Sequence, residues 1–341
     1  MKRFVLVFIT AFFLLIVCLE SDKIQAKPTG TVPLMESVKS WKNEYGLGLQ
    51  ITTVHYEIFT TLLDRDILRR IPTFIESAYN SYNEQLPRPV ITDFGETNQA
   101  ATKFRIYLFA DRQQWENFTR DFAGEQARTY CAIKAGAYCH NGTCVAYDIG
   151  PKRTLSVLGH EGWHQFNGRY FKFRLPSWLD EGVAMLFEEY REEDGVFHFE
   201  PTENSYRLNA LKNTLLQSRT IPLDELVVMN PGDVLASDQT EDVMAFYSQS
   251  YALVRFLREA GQKKRLGVYQ RLLADSLYGN WPLDEASKNM AADRNVPRTI
   301  LWNHIVGLSL FQEYVGYDLK QIEKEYLDFC IKITNNQSEL K

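Results

Sequence analysis

The stretch "SVLGHEGWHQF", residues 156–166, sets two histidines four apart with a glutamate directly after the first. On a helix, positions i and i+4 share a face, so His160 and His164 can present their imidazoles to one point. Glu161 then projects beside that point, where a water held by a metal would sit. This is the chemistry of metal-assisted hydrolysis, with two neutral nitrogen ligands and a carboxylate base inside little more than one helical turn. With six histidines in the chain, chance produces the pattern in roughly one chain in a hundred, so the surroundings of the motif must carry the reading. Two of those surroundings are Gly159 and Gly162. Each disfavours a helix interior by about 1 kcal/mol relative to alanine. Either another segment approaches that backbone closely, or the glycines are simply tolerated there.

Zinc needs a third protein ligand and an open fourth position. Glu181, in "SWLDEG", follows His164 by seventeen residues, and a carboxylate there reaches the metal if two helices return antiparallel across "GRYFKFRLP". Asp180 is one step round that helix and is expected to point elsewhere. Glu188 shares the face of Glu181, and it either supports a histidine from behind or stands in solvent. A longer histidine-containing signature would need Gly at 167 and His at 170, where the chain has Asn167 and Tyr170. His55, His140, His198 and His304 are scattered and read as ordinary surface or core residues. The expected site is therefore His160, His164 and Glu181 around Zn2+, with Glu161 as the base that takes a proton from water and gives it to a leaving amine.

The elements that must position these residues read as strands first and helices afterwards, an α+β pattern. Residues 49–60, "LQITTVHYEIFT", alternate as a strand, and 103–110 form a second. Helices are expected at 64–86, with Pro72 a possible kink, and at 111–123, capped by Asp111. Asn141-Gly142 is the strongest two-residue hairpin signal in the chain, and it sets Cys139 opposite Cys144 on two further strands. The motif helix spans 154–167 and the next 175–192, with Pro176 suited to its first turn. Later helices are expected at 203–217, 240–260, 264–277, 283–293 and 318–333, with no strand after 150. Residues 27–48 are then a lead-in, 49–150 a strand-rich part, and 151–335 a helical part carrying the zinc site.

Three stretches, "HEGWHQF", "LPSWLDEGVAMLFE" and "AFYSQSYALVRFL" (245–257), resemble the peptidase MA-like family of bacterial gluzincins. These are zincin metallopeptidases with His-Glu-x-x-His and a downstream glutamate ligand. The similarity covers roughly residues 50–330 in element order, and only the three quoted stretches are specific. It implies His160, His164 and Glu181 as zinc ligands and Glu161 as catalytic base. It also implies a zincin-like fold, with a mixed-strand upper lobe, an edge strand over the cleft and a mainly helical lower lobe. Tyr247, in the third stretch, is the candidate oxyanion donor. Tyr251 follows on the same helical face, and both are alternatively core aromatics. The thermolysin-like pattern has an aspartate four residues after the glutamate ligand, whereas Met185 stands here, which leaves the partners of the histidines open. The first hairpin strand (135–138) or the second (143–149) is the candidate edge for aligning an extended substrate.

The chain opens with Lys2 and Arg3, then an apolar run from Phe4 to Leu19 that falls short of the ~20 residues of a span. Polar "SDKIQA" follows, so residues 1–26 read as a signal peptide and the mature protein as extracytoplasmic, secreted or periplasmic. An uncleaved anchor, or a lipoprotein built on Cys18, are the alternatives. No later segment is apolar for long enough to span a membrane. Cys131, Cys139, Cys144 and Cys330 then remain, an even number in an oxidising compartment. Facing positions favour a Cys139–Cys144 disulfide, leaving Cys131–Cys330 by elimination, with a four-cysteine zinc site as competitor. A net charge of −5 without a basic stripe argues against nucleic acid. The expected partner is a peptide or protein substrate, and the expected activity that of a zinc metallopeptidase. A zincin-fold binding protein without turnover, and a hydrolase of a non-peptide amide, stand beside it.

Overall fold

Thr53 and His55 divide what the sequence pattern presents as one strand. A buried carboxylate, Glu76, accepts from Thr53 Oγ1 at 2.6 Å and from the His55 amide at 2.8 Å, and it meets His55 Nδ1 at 2.6 Å. Burial would raise the pKa of Glu76, but these hydrogen bonds outweigh it and hold the carboxyl below its ordinary value. The turn is therefore fixed by a partner from a distant helix. A computed structural model describes residues 35–87, 103–133, 136–236, 239–294 and 300–335. The expected signal peptide 1–26, Cys18 and the first residue of the 135–138 strand lie outside the described residues.

The strand-rich part is β1 (Ser37–Trp41), β2 (Gly48–Thr52), β3 (Tyr56–Thr60), α1 (Arg65–Asn83), β4 (Phe104–Phe109), α2 (Arg112–Phe122), α3 (Ala127–Cys131), β5 (Ala137–His140) and β6 (Thr143–Tyr147). Its six strands form a mixed sheet in the order β1-β2-β3-β4-β6-β5. The β3–β4 and β4–β6 pairs are parallel and the others antiparallel. The described part of the expected lead-in, residues 35–48, thus contributes a strand. β1 forms because Trp41 lies across Gly48, whose missing side chain would otherwise press on the indole at 2.8 Å. From there the indole meets Phe59 edge-on at 5.6 Å.

The helical part follows: α4 (Pro151–Tyr170), α5 (Ser177–Ala184), β7 (Tyr190–Glu193), β8 (Val196–Phe199), α6 (Ser205–Leu216), α7 (Leu223–Leu226), α8 (Pro231–Ala236) and α9 (Thr240–Glu259). Then come α10 (Gln262–Tyr278), α11 (Glu285–Ala292), α12 (Ile300–Tyr314) and α13 (Leu319–Asn335). The helix expected over 175–192 ends at Ala184, and the chain turns through Met185–Phe187 into a hairpin where none was expected. Asp194 and Gly195, at φ 52° and 76°, make its two-residue turn. One hydrophobic core runs from the inner face of the sheet, including Ile58, Ile106 and Cys144, through Trp163 and Trp178 to the late helices. The outer face carries a smaller cluster of Phe109, Trp115, Tyr138 and Val145 under α2. The molecule is α+β, with a mixed sheet on one side of α4 and helices on the other.

Candidate metal centre

The strand β6 leads straight into α4. Gly150, at φ 96°, makes the turn, Pro151 occupies the first helical position, and Thr154 closes it by donating to Asp148 at 2.8 Å and accepting from the Ile149 amide at 3.0 Å. The helix extends at both ends beyond the expected 154–167. Within it the two glycines have a clear reason. A side-chain carbon at Gly159 would collide with the Phe187 carbonyl, and one at Gly162 with the Tyr82 hydroxyl. That hydroxyl donates to the Gly159 carbonyl at 2.7 Å. Close approach of neighbouring segments, rather than tolerance, explains both.

His160 and His164 share one face of α4, with ring centroids 5.0 Å apart. The chain then returns in α5, and Glu181 Oε2 stands 3.2 Å from His160 Nε2 and 3.7 Å from His164 Nε2. One ligand atom from each of the three residues lies within 4.8 Å of the others. Ligands at ~2.0–2.1 Å around a tetrahedral zinc are about 3.3 Å apart, and the two histidine–glutamate separations of 3.2 and 3.7 Å lie near that value.

The far nitrogen of each imidazole is held by a carboxylate. Glu188 Oε1 lies 3.0 Å from His160 Nδ1, and Asp180 Oδ1 lies 3.0 Å from His164 Nδ1. Both contacts leave Nε2 aimed at the common point, the arrangement that fixes ring orientation and ligand basicity in metal sites. The expectation that Asp180 points elsewhere is corrected. Every residue of α5 is buried, so no solvent-facing side exists for a carboxylate, and Asp180, 1% exposed, finds the back of His164. Asn167 Nδ2 secures it from α4 at 2.5 Å. Glu188 does support a histidine, and it is far from solvated. Arg207 of α6 grips it with two hydrogen bonds of 2.8 and 2.6 Å, and Asn204 adds a third at 2.9 Å. No spacing rule in the sequence marks Arg207, Asn204 or Asn167, because each acts across separate elements.

The charges fit a cation. Burial would lower the pKa of His160, but hydrogen bonds it donates to Glu181 and Glu188 lift it to about 9. The same opposition, with Asp180 and Glu181 as partners, holds His164 well above its usual value. Burial would raise Glu181, yet the two imidazoles bring it down to about 2. Glu161 differs. It is not within the ligand group, and burial raises its pKa against the pull of the histidines. A carboxyl that holds a proton more readily than its neighbours suits proton transfer rather than coordination.

Tyr247, on α9, lies half-buried within electrostatic reach of Glu181 and Glu161, and burial followed by the Glu181 charge pushes its phenol pKa well above 10. The Arg207 guanidinium sits 5.4 Å from its ring. Its hydroxyl makes no hydrogen bond among the described residues. Tyr251 is a core aromatic with a satisfied hydroxyl: it donates to the Pro201 carbonyl and accepts from Arg255 at 3.1 Å. It drops out as an oxyanion donor.

The hairpin over α4 has the expected register, with Asn141 and Gly142 both at positive φ and Cys139 opposite Cys144. No disulfide joins any of Cys131, Cys139, Cys144 and Cys330 in the structure. β6 is interior to the sheet, so of the two candidate edge strands only β5 is at an edge. Neither the models of known protein families nor the curated protein sequences match this chain. No helix among the described residues is long and apolar enough to cross a membrane.

Proposed function

We propose that this chain is an extracytoplasmic zinc-dependent peptidase with a zincin-like, gluzincin-type architecture, in which the sheet is the upper lobe and the helices after α4 the lower. The observation that carries the reading is the constructed donor set: His160 Nε2, His164 Nε2 and Glu181 Oε2, with Glu188 and Asp180 behind the two imidazoles. Accidental His-Glu-x-x-His patterns have no reason to recruit a buried carboxylate for each ring. A zinc ion, when bound, supplies Lewis-acid chemistry, acidifying water toward neutrality and polarising a carbonyl.

The residues of the chain do the rest. Glu161 stands one position from His160 with a raised pKa, accepts the proton of the attacking water, and returns it to the leaving amine. The Tyr247 phenol, protonated at neutral pH, donates a hydrogen bond to the carbonyl oxygen as negative charge gathers there. β5 offers a sheet edge to the backbone of an extended peptide, which gains main-chain hydrogen bonds without regard to side-chain identity. The resemblance of the three sequence stretches to bacterial gluzincins supports the same roles, and the apolar run at 4–19 supports export.

The deciding experiment is elemental analysis of protein purified without chelator, beside digestion of a peptide library with and without chelator. Stoichiometric zinc with chelator-sensitive cleavage is the expected result. Zinc without cleavage of any peptide would make this a metal-binding zincin relative or a hydrolase of another amide. Absence of zinc would end the proposal.

A further inference from the structure

The hairpin at the edge of the sheet carries two cysteines that the proposed reaction does not use. Cys139 of β5 lies directly opposite Cys144 of β6, one pair in from the turn. The pair next to a two-residue turn exchanges the hydrogen bonds, so the cysteines occupy a non-hydrogen-bonded pair. There Cα atoms approach to about 4.5 Å, inside the ~4.4–6.8 Å window of a disulfide. Both lie in the row of Ile58 and Ile106, on the inner face against which α4 packs. Cys144 is fully buried, and Cys139 is partly exposed. The hairpin tip is fastened to α4: Gln165, the residue after His164, donates from Nε2 to the Gly142 carbonyl at 2.9 Å and the Arg105 carbonyl at 2.8 Å. β5 itself is four residues long and last in the sheet, so its backbone is laddered on one side only, with Tyr138 packed on the outer face and donating to Thr119 at 3.1 Å.

We propose that Cys139 and Cys144 form a thiol–disulfide site whose oxidation fastens β5 over the motif helix, fixing the strand that would align an extended substrate. The last clause rests on the peptidase reading, and the fastening itself does not. The oxidant is a low-molecular-weight disulfide. Cys139, the reachable sulfur, attacks as thiolate, forming a mixed disulfide and releasing one thiol. Cys144 then attacks the Cys139 sulfur and releases the second. The two cysteines lose two electrons and two protons, and the reagent leaves as two thiols. Burial pushes the Cys144 thiol pKa well up, which assigns the opening step to Cys139.

The test uses the mature chain equilibrated with oxidised and reduced glutathione over a range of ratios, quenched, and mapped without reduction. A Cys139–Cys144 link should appear as a two-electron transition, with amide exchange of residues 137–140 slowed about tenfold or more in the oxidised form. Cys139→Ser should abolish both effects, while the Cys131→Ser/Cys330→Ser double variant keeps them. No link at any ratio, or a link without slower exchange, overturns the proposal. If the chain cleaves peptides, reduction should also raise KM for a long extended peptide at least ~3-fold and leave kcat unchanged. An unchanged KM would remove the substrate clause. Mapping and exchange need no turnover, so they decide the fastening even if the peptidase reading fails.

Discussion

Glu161, partly buried, and Glu181, buried, are carboxylates beside the same two imidazoles, yet their surroundings push them in opposite directions. Glu181 is lowered to about 2 by the histidines it touches, whereas Glu161 is raised by burial. In the proposed reading that difference fits coordination for Glu181 and proton transfer for Glu161. Glu181→Ala should therefore release zinc, as should His160→Ala and His164→Ala. Glu161→Gln should keep full zinc while turnover falls by ~10²-fold or more. Elemental analysis beside peptide hydrolysis separates the two, and stoichiometric zinc in Glu181→Ala would place the third ligand elsewhere. Tyr247→Phe removes only the hydroxyl from a ring already packed against Arg207. Turnover should drop by ~10²-fold or more, as when an oxyanion donor is lost, with zinc content unchanged. Equal turnover would leave Tyr247 as packing.

At the scale of elements, each histidine is aimed by a neighbour on another segment, and His160 has the longer chain of support, from Arg207 on α6 through Glu188. Arg207→Ala would leave Glu188 as a buried charge without its strongest partner, a change that typically costs about 3–5 kcal/mol. Zinc affinity should fall ~10–100-fold, measured by competition with a chelator, and Arg207→Lys should recover part of it. In a Glu188→Gln background the arginine change should do little more, and a full additive loss there would disconnect the two. These supports also explain what the sequence revealed and what it hid. The candidate ligands His160 and His164 were legible because i,i+4 spacing is local, and the Cys139–Cys144 register because Asn141-Gly142 dictates it. The hairpin of β7 and β8 was missed although Asp194-Gly195 is the same kind of signal. The apolar, alanine- and leucine-containing run before it continued the helical pattern past Ala184. β1, the break at Thr53–His55 and the inward turn of Asp180 were hidden for another reason. Each depends on a partner distant in sequence: Phe59, Glu76 and His164.

The whole molecule brings this site together from α4, α5, the turn after it, α6 and α9, under an edge of the sheet. Gathered there are the buried carboxylates Asp180 and Glu181 and the partly buried Glu161 and Glu188, with Arg207 as the balancing guanidinium. Negative charge is in excess, and the same carboxylates raise the pKa values of His160 and His164 against the effect of burial. A divalent cation, if bound as proposed, would offset that charge at the three donor atoms themselves. Because residues 160 and 181 meet only when α4 and α5 have packed, the unfolded chain offers no equivalent site, and metal binding at the proposed site would add to folding free energy. Zinc at a thousandfold excess over its dissociation constant should add about 4 kcal/mol. For a chain of this size that is a rise of roughly 6 °C in the unfolding midpoint. Thermal scans of chelated and zinc-loaded protein at matched concentration should show that rise in the wild type and in Glu161→Gln, and no rise in Glu181→Ala. A midpoint indifferent to zinc in the wild type would mean that the donor set does not close on the ion, however well its distances match.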